Sequence, residues 1–416
     1  MDAYQEEPMS TTSVLKGQTL KGGLVLLVIL AVALIGFSVF QYLTDKNNYE
    51  KGHQAYLLAD CDTATVSFEK IINGTRLIDL GHYPQPAQLE KTECLIFLKA
   101  ASLESAGDLS SALVTYLDFI INGNTKSPLV VAVRARIAGL FQVEKIPFIA
   151  SETTCTQIGQ LIQKSLIPNQ ETNLPLFYLA CGQNYEKIGQ HRFAFSMFQW
   201  VLTSYPDNPA SMMAETALLE NPIACQESET LRQSVIANRT DFMPKLYYGC
   251  GLKYEENSDL ANARKMYETI LSGYPEHSLA KDAESALART IVAQAKASGA
   301  GEISQPESSG STTSGNVKII IQNDSPERLR IIFSGPNSLV KELDACSTCT
   351  SYAVGQEPVY YCPELGPTGQ YTLPPGVYDI VVESISSISV TPWAGNWNLI
   401  DGNEYYRCFL LTTKLH

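Results

Sequence analysis

Apolar and polar positions change their spacing along the chain, and the changes predict its segments. Gly22–Phe40 holds no charged side chain and is almost entirely Leu, Val, Ile, Ala, Gly and Phe. From about residue 47 to 296, apolar residues recur at i, i+3, i+4 and i+7, the stripe of amphipathic helices. From Val317 the periodicity switches to strands, in Val317-Lys-Ile-Ile-Ile-Gln, Leu329-Arg-Ile-Ile-Phe, Gly376-Val-Tyr-Asp-Ile-Val-Val-Glu and Tyr405-Tyr-Arg-Cys-Phe-Leu-Leu. Asn, Asp, Pro and Gly bound these runs, as turns require. The expected order is a cytoplasmic tail over 1–21, a transmembrane helix over 22–42, an α-solenoid over 47–296, a linker over 297–316 and a β-sandwich over 317–416.

The apolar block is long enough to cross a bilayer. Nineteen residues at ~1.5 Å each reach ~28 Å, about the thickness of a hydrocarbon core. Gln41 and Tyr42 form an interfacial edge before the polar run Thr44–Glu50. A cleaved signal peptide is the competing reading. The block exceeds the usual apolar core of such peptides, Asp2, Glu6 and Glu7 lie ahead of it, and no small-x-small cleavage site follows. Lys16 and Lys21 precede the span, so the positive-inside rule places the N-terminus in the cytoplasm and the bulk outside it.

Within the helical region, Pro175–Pro209 and Pro244–Ser278 carry one pattern twice. They share Tyr178/Tyr247, Cys181/Cys250, Gly182/Gly251, Tyr185/Tyr254, Glu186/Glu255, Ala194/Ala263, Met197/Met266, Leu202/Leu271, Tyr205/Tyr274 and Pro206/Pro275. Recurrence at twice ~34 residues predicts stacked helix pairs. Tyr178, Cys181, Gly182 and Tyr185 line one face of a first helix, Gly189 marks the turn, and Pro206 ends the second helix. Weaker units surround Gly107, Ala112 and Tyr116, and Gly52, Ala64 and Phe68. The order of aromatic, Gly, Tyr, turn, Ala, aromatic, Leu and Pro resembles the tetratricopeptide repeat. A generic array of α-hairpins is the plainer alternative. Leu279–Ala297, rich in Ala and polar residues, is expected to cap the array with a soluble face.

Ten cysteines, all beyond the span, fit an exported protein. Cys61, Cys155 and Cys225 each open a helix, and Cys94, Cys181 and Cys250 are their expected mates. Each bridge would stabilise the fold by ~3 kcal/mol. Buried free thiols are the alternative. Cys346, Cys349, Cys362 and Cys408 lie in the β region, where two disulfides are expected over a zinc site because Cys362 and Cys408 do not form a second short-spaced pair. Their three connectivities stay open.

Lys296–Asn316 is dominated by Ser, Gly, Thr and other small or polar residues, the composition of a flexible tether with an r.m.s. span of roughly 25 Å. Beyond it, Leu373-Pro-Pro-Gly-Val-Tyr-Asp-Ile-Val-Val resembles the turn and strand of PEGA-type and transthyretin-like β domains. Trp393 and Trp397, four residues apart, would share one side of a strand, either plugging the core or forming a platform for a sugar or peptide.

Catalytic patterns are missing from the sequence. Its five histidines show no ligand spacing, and there is no phosphate-cradling loop, dinucleotide fingerprint or nucleophile elbow. No enzyme activity, cofactor or metal is expected. A net charge of −13 argues against nucleic acid as a partner. The repeat resemblance implies an inner groove lined by Leu176, Leu179, Gln183, Glu186 and Lys187, and by Lys245, Tyr248, Leu252, Glu255 and Glu256. The expected function is a membrane-anchored scaffold or adaptor for protein or peptide partners. The alternative is a cell-wall or glycan-binding surface protein acting through the β domain. Asn73-Gly-Thr and Asn238-Arg-Thr are glycosylation sequons that matter only in a eukaryotic host.

Overall fold

The computed structural model describes residues 18–234, 240–313, 315–353, 364–385, 390–410 and 412–413. Helices come first: α1 Gln18–Leu57, α2 Cys61–Ile72, α3 Pro84–Ser105, α4 Leu109–Asn122, α5 Leu129–Leu140, α6 Ile146–Ile149, α7 Glu152–Thr156, α8 Ile158–Gln163, α9 Gln170–Lys187, α10 His191–Ser204, α11 Pro209–Glu220, α12 Ser228–Ser234, α13 Phe242–Glu256, α14 Leu260–Gly273 and α15 Ala280–Ala297. Strands follow: β1 Gly301–Glu302, β2 Glu307–Ser311, β3 Val317–Asn323, β4 Leu329–Ser334, β5 Leu339–Leu343, β6 Tyr352–Ala353, β7 Thr368–Leu373, β8 Gly376–Ser384, β9 Trp393–Leu399, β10 Asn403–Phe409 and β11 Thr412–Thr413. The chain divides into two compact units, residues 1–197 with 207–211 and residues 198–206 with 212–416.

Helix α1 has 40 residues, so at ~1.5 Å each it is about 60 Å long, twice a bilayer core. Its first half is long and apolar enough to cross a membrane, and Leu24–Leu30 there are exposed. Its second half packs on α2, burying Gly52, Ala55 and Tyr56. The polar run Thr44–Glu50 continues the same helix, since no Gly or Pro falls between Gly36 and Gly52.

One turn geometry closes the hairpins. Ala59, Gly107, Gly189 and Ser258 all have positive φ, between 58° and 83°. The next amide donates back to the preceding helix each time: Asp60 to Ala55 O, Asp108 to Leu103 O, Gln190 to Tyr185 O and Asp259 to Tyr254 O. Such left-handed closure satisfies carbonyls that the helix end leaves free. Asp60, Asp108 and Asp259 then cap the following helix by accepting from the backbone N–H of Thr63, Ser111 and Asn262, each at 3.2 Å. Small residues face rings across the pairs. A Cβ on Gly52 would stand 2.6 Å from Phe68, and one on Gly251 would overlap the Tyr267 ring. Ala100 and Tyr116, at the same spacing in α3 and α4, are fully buried.

Disulfides tie these helices. Cys61 is bonded to Cys94, Cys155 to Cys181 and Cys225 to Cys250, with Cα–Cα distances of 5.1, 5.6 and 5.5 Å. Those are the three pairings expected from the helix-opening positions. In the strand region Cys346 is bonded to Cys349, and Cys408 is also in a disulfide, which replaces thiolates a zinc ion would need. Cys362 lies outside the described residues, as does Asn238.

The strands form mixed sheets, one in the order β1-β9-β8-β4-β5, one in the order β2-β10-β3-β7, and a short β6-β11 pair. β1 runs parallel to β9 and β3 parallel to β10, while the other pairs of the two larger sheets are antiparallel. Both larger sheets contribute to one core, with Ile319, Ile321 and Tyr371 from one and Phe333, Tyr378, Val382 and Trp397 from the other. The Pro-Pro-Gly turn before β8 has a local reason: Gly376 has φ 150°, and a Cβ there would meet Pro336 at 2.7 Å. Asp324, almost wholly buried, accepts from the backbone N–H groups of Glu364, Leu365 and Gly366 at 2.7, 3.0 and 2.8 Å.

Two expectations need correction. The stretch 297–316, composed like a free tether, contains β1 and β2, which pair with β9 and β10, and Ile303 joins the sheet core. Helix α15 does not end the helices with a soluble face. It buries Ala283, Leu287, Ile291 and Val292 and lies between α14 and the sheet of β4, β5, β8 and β9. Charges fasten the same contact. Arg264 on α14 donates to Glu383 on β8 at 3.0 and 2.6 Å, and Arg330 on β4 reaches Glu268 at 2.7 Å and Glu383 at 3.4 Å. Burial works against the Arg264 cation, but Glu383 and Glu268 outweigh it and raise its pKa.

Candidate interaction surfaces

The expected groove residues belong to two helices, α9 in the first unit and α13 in the second, so each is taken within its own unit. On α9, Leu179 is 4% exposed and belongs to the core, which removes it from any open groove. Leu176 is half-buried, and Gln183 and Lys187 are exposed. Glu186 is half-buried, with its Oε2 2.5 Å from Nδ1 of His191.

On α13, Tyr248 is half-buried with its ring 5.9 Å from that of Tyr267. Glu255 is engaged within the fold: it accepts from Arg289 at 2.7 Å and from Thr290 Oγ1 at 2.6 Å, tying α13 to α15. Its anionic oxygens therefore hold helices together rather than stand ready for a ligand. Lys245 is exposed and lies 3.4 Å from Asp241. Leu252 and Glu256 are exposed. The positions open to a partner are thus Gln183 and Lys187 in one unit and Lys245, Leu252 and Glu256 in the other.

Trp393 and Trp397 do not make a shared outer platform. Trp397 is fully buried in the sheet core, and its indole N–H donates to Ser304 O at 3.0 Å. Trp393 is partly buried against that core, 5.9 Å from the Phe409 ring. A buried Trp with its N–H satisfied is packing, as its size favours.

Other surfaces were not singled out by the repeat pattern. Val131, Phe148 and Phe193 are exposed in the first unit, and Leu77, Ile78 and Leu80 stand exposed on the loop between α2 and α3. The signal for the last three was an apolar triplet in a segment without helical periodicity. An open depression of about 540 Å³ lies beside α15, lined among others by Leu260, Ile291, Gln294 and Glu383. Among the described residues no group of three or more His, Cys, Asp or Glu is placed to hold a metal ion. No family model and no curated protein matches the chain.

Proposed function

We propose that this protein is a non-catalytic scaffold, anchored by one N-terminal helix, that holds protein or peptide partners outside the cytoplasm. The observation that carries the reading is the continuity of α1, whose first half is long and apolar enough for a span and whose second half packs on α2 among helices stapled by disulfides. Helices of the first unit packed directly on the anchor helix would present their surface close above a bilayer, and disulfides persist in oxidising compartments. The recurring left-handed turns and small-residue-to-ring contacts support a tetratricopeptide-like solenoid, and the shared core of the two large sheets supports a sandwich. Trp397, being internal, gives the glycan-binding alternative no support.

Two variants of the full-length protein test the reading, Gln183→Arg with Lys187→Glu and Leu252→Arg with Glu256→Lys. Both are purified from membranes with their partners after mild cross-linking. The expected result is loss of captured partner from at least one variant, with thermal unfolding unchanged. Full capture by both would remove these helix faces from the binding role.

A further inference from the structure

We infer that the loop between α2 and α3, residues 74–83, is a second membrane contact, seating Leu77, Ile78 and Leu80 in the headgroup region of the bilayer that α1 crosses. The inference rests on the reading of α1 as a span. Helix α2 runs back along α1 from the turn at Leu58–Asp60, so its C-terminal end returns to the level where the apolar half of α1 stops. Arg76 fixes that level: its Nε donates to Asp45 Oδ2 at 2.8 Å, and both side chains are 14% exposed. A Cβ on Gly81 would meet the Tyr83 ring first and stand 3.2 Å from that of Tyr42, the residue at the edge of the span. The Tyr83 ring is 6.0 Å from that of Tyr42 and 5.3 Å from that of Tyr49.

The loop is held, not loose. Arg76 also donates to Gly74 O and Ile71 O, and Asp79 accepts from His82 N–H at 2.9 Å. Yet Leu77, Ile78 and Leu80 remain 55%, 60% and 51% exposed. Three fixed, exposed aliphatic side chains in so short a segment need a covering. Phe40 and Leu43, at the end of the apolar half of α1 that Arg76 and Tyr83 reach, are likewise 67% and 56% exposed. At that level of α1 the triplet would lie at the depth where the span leaves the hydrocarbon. Tyr42 and Tyr83 supply the aromatic belt expected at an interface, and exposed His82 and Asp79 supply polar tips at headgroup depth.

The test is lipid photocrosslinking with the full-length chain in phosphatidylcholine vesicles carrying a tagged phospholipid. Benzoylphenylalanine replaces Leu34 in the span, Ile78 in the loop, or Leu58 at the far end of the hairpin, about 20 Å further along α1. Each variant is first required to unfold at the native temperature. Lipid adducts at Leu34 and Ile78 with none at Leu58 are expected. Adducts at Leu34 alone would overturn the loop contact while leaving the span intact. Adducts from Ile78 to a second copy of the protein would also overturn it, and none at Leu34 would overturn the span itself.

Discussion

Gly251 on α13 lies so close to the ring of Tyr267 on α14 that a Cβ could not be added without moving one of them. Gly249, two residues earlier on the same helix, has nothing within 4 Å of an added Cβ. The pair separates a packing glycine from a merely helical one. Gly251→Ala is expected to destabilise the second unit by about 1–3 kcal/mol through overpacking. Gly249→Ala is expected to stabilise it by about 0.5–1 kcal/mol, because alanine loses less backbone entropy in a helix. Denaturant midpoints of the two variants check this, and equal shifts of one sign would refute the contact.

Glu383 anchors the strands to the helices of its unit. Its side chain is 15% exposed between Arg264 and Arg330, at 22% and 16%. Removing the carboxylate would leave two partly buried guanidinium groups short of an acceptor. Glu383→Gln should cost about 2–3 kcal/mol, below the 3–5 typical of a fully buried pair. Unfolding followed by the combined fluorescence of Trp200, Trp393 and buried Trp397 measures it. A loss below about 0.5 kcal/mol would place these charges among ordinary surface pairs.

Buried tyrosines set a limit at high pH. Burial, then Tyr274 and Glu229, push the Tyr247 phenol up to about 12, and burial raises Tyr116 and Tyr267 as well. The folded protein thus keeps phenolic protons that the unfolded chain loses above about pH 10. Stability from these groups is unaffected below that pH and falls as pH rises through and beyond it. Tyrosinate absorbance at about pH 11 should be lower in the native protein than in denaturant. Equal absorbance would mean the phenols are open to solvent.

Much of this architecture was legible in the sequence because local chemistry specifies it. A left-handed turn favours the glycine at Gly107 and Gly189, and close helix pairs need small residues opposite rings, so those letters recur. Groove positions were less legible. Leu179 and Glu255 have a helical register compatible with exposure, but tertiary neighbours decide that one is core and the other bonded to α15. The strand at Glu307–Ser311 is exposed along its whole length and pairs through its backbone, so no apolar alternation announced it. Arg264 and Glu383 lie 119 positions apart, beyond the reach of any spacing rule. The unbroken run of α1 through Thr44–Glu50 was not legible, because a solvated helix and a linker share composition.

An anchored platform built in an oxidising compartment should carry its ten cysteines as disulfides, which mass mapping of protein isolated from membranes, with and without reduction, would read. Bridges at Cys61–Cys94, Cys155–Cys181, Cys225–Cys250 and Cys346–Cys349, with no free thiol in the helical region, are expected. Free thiols throughout would put the platform in a reducing compartment and contradict this reading.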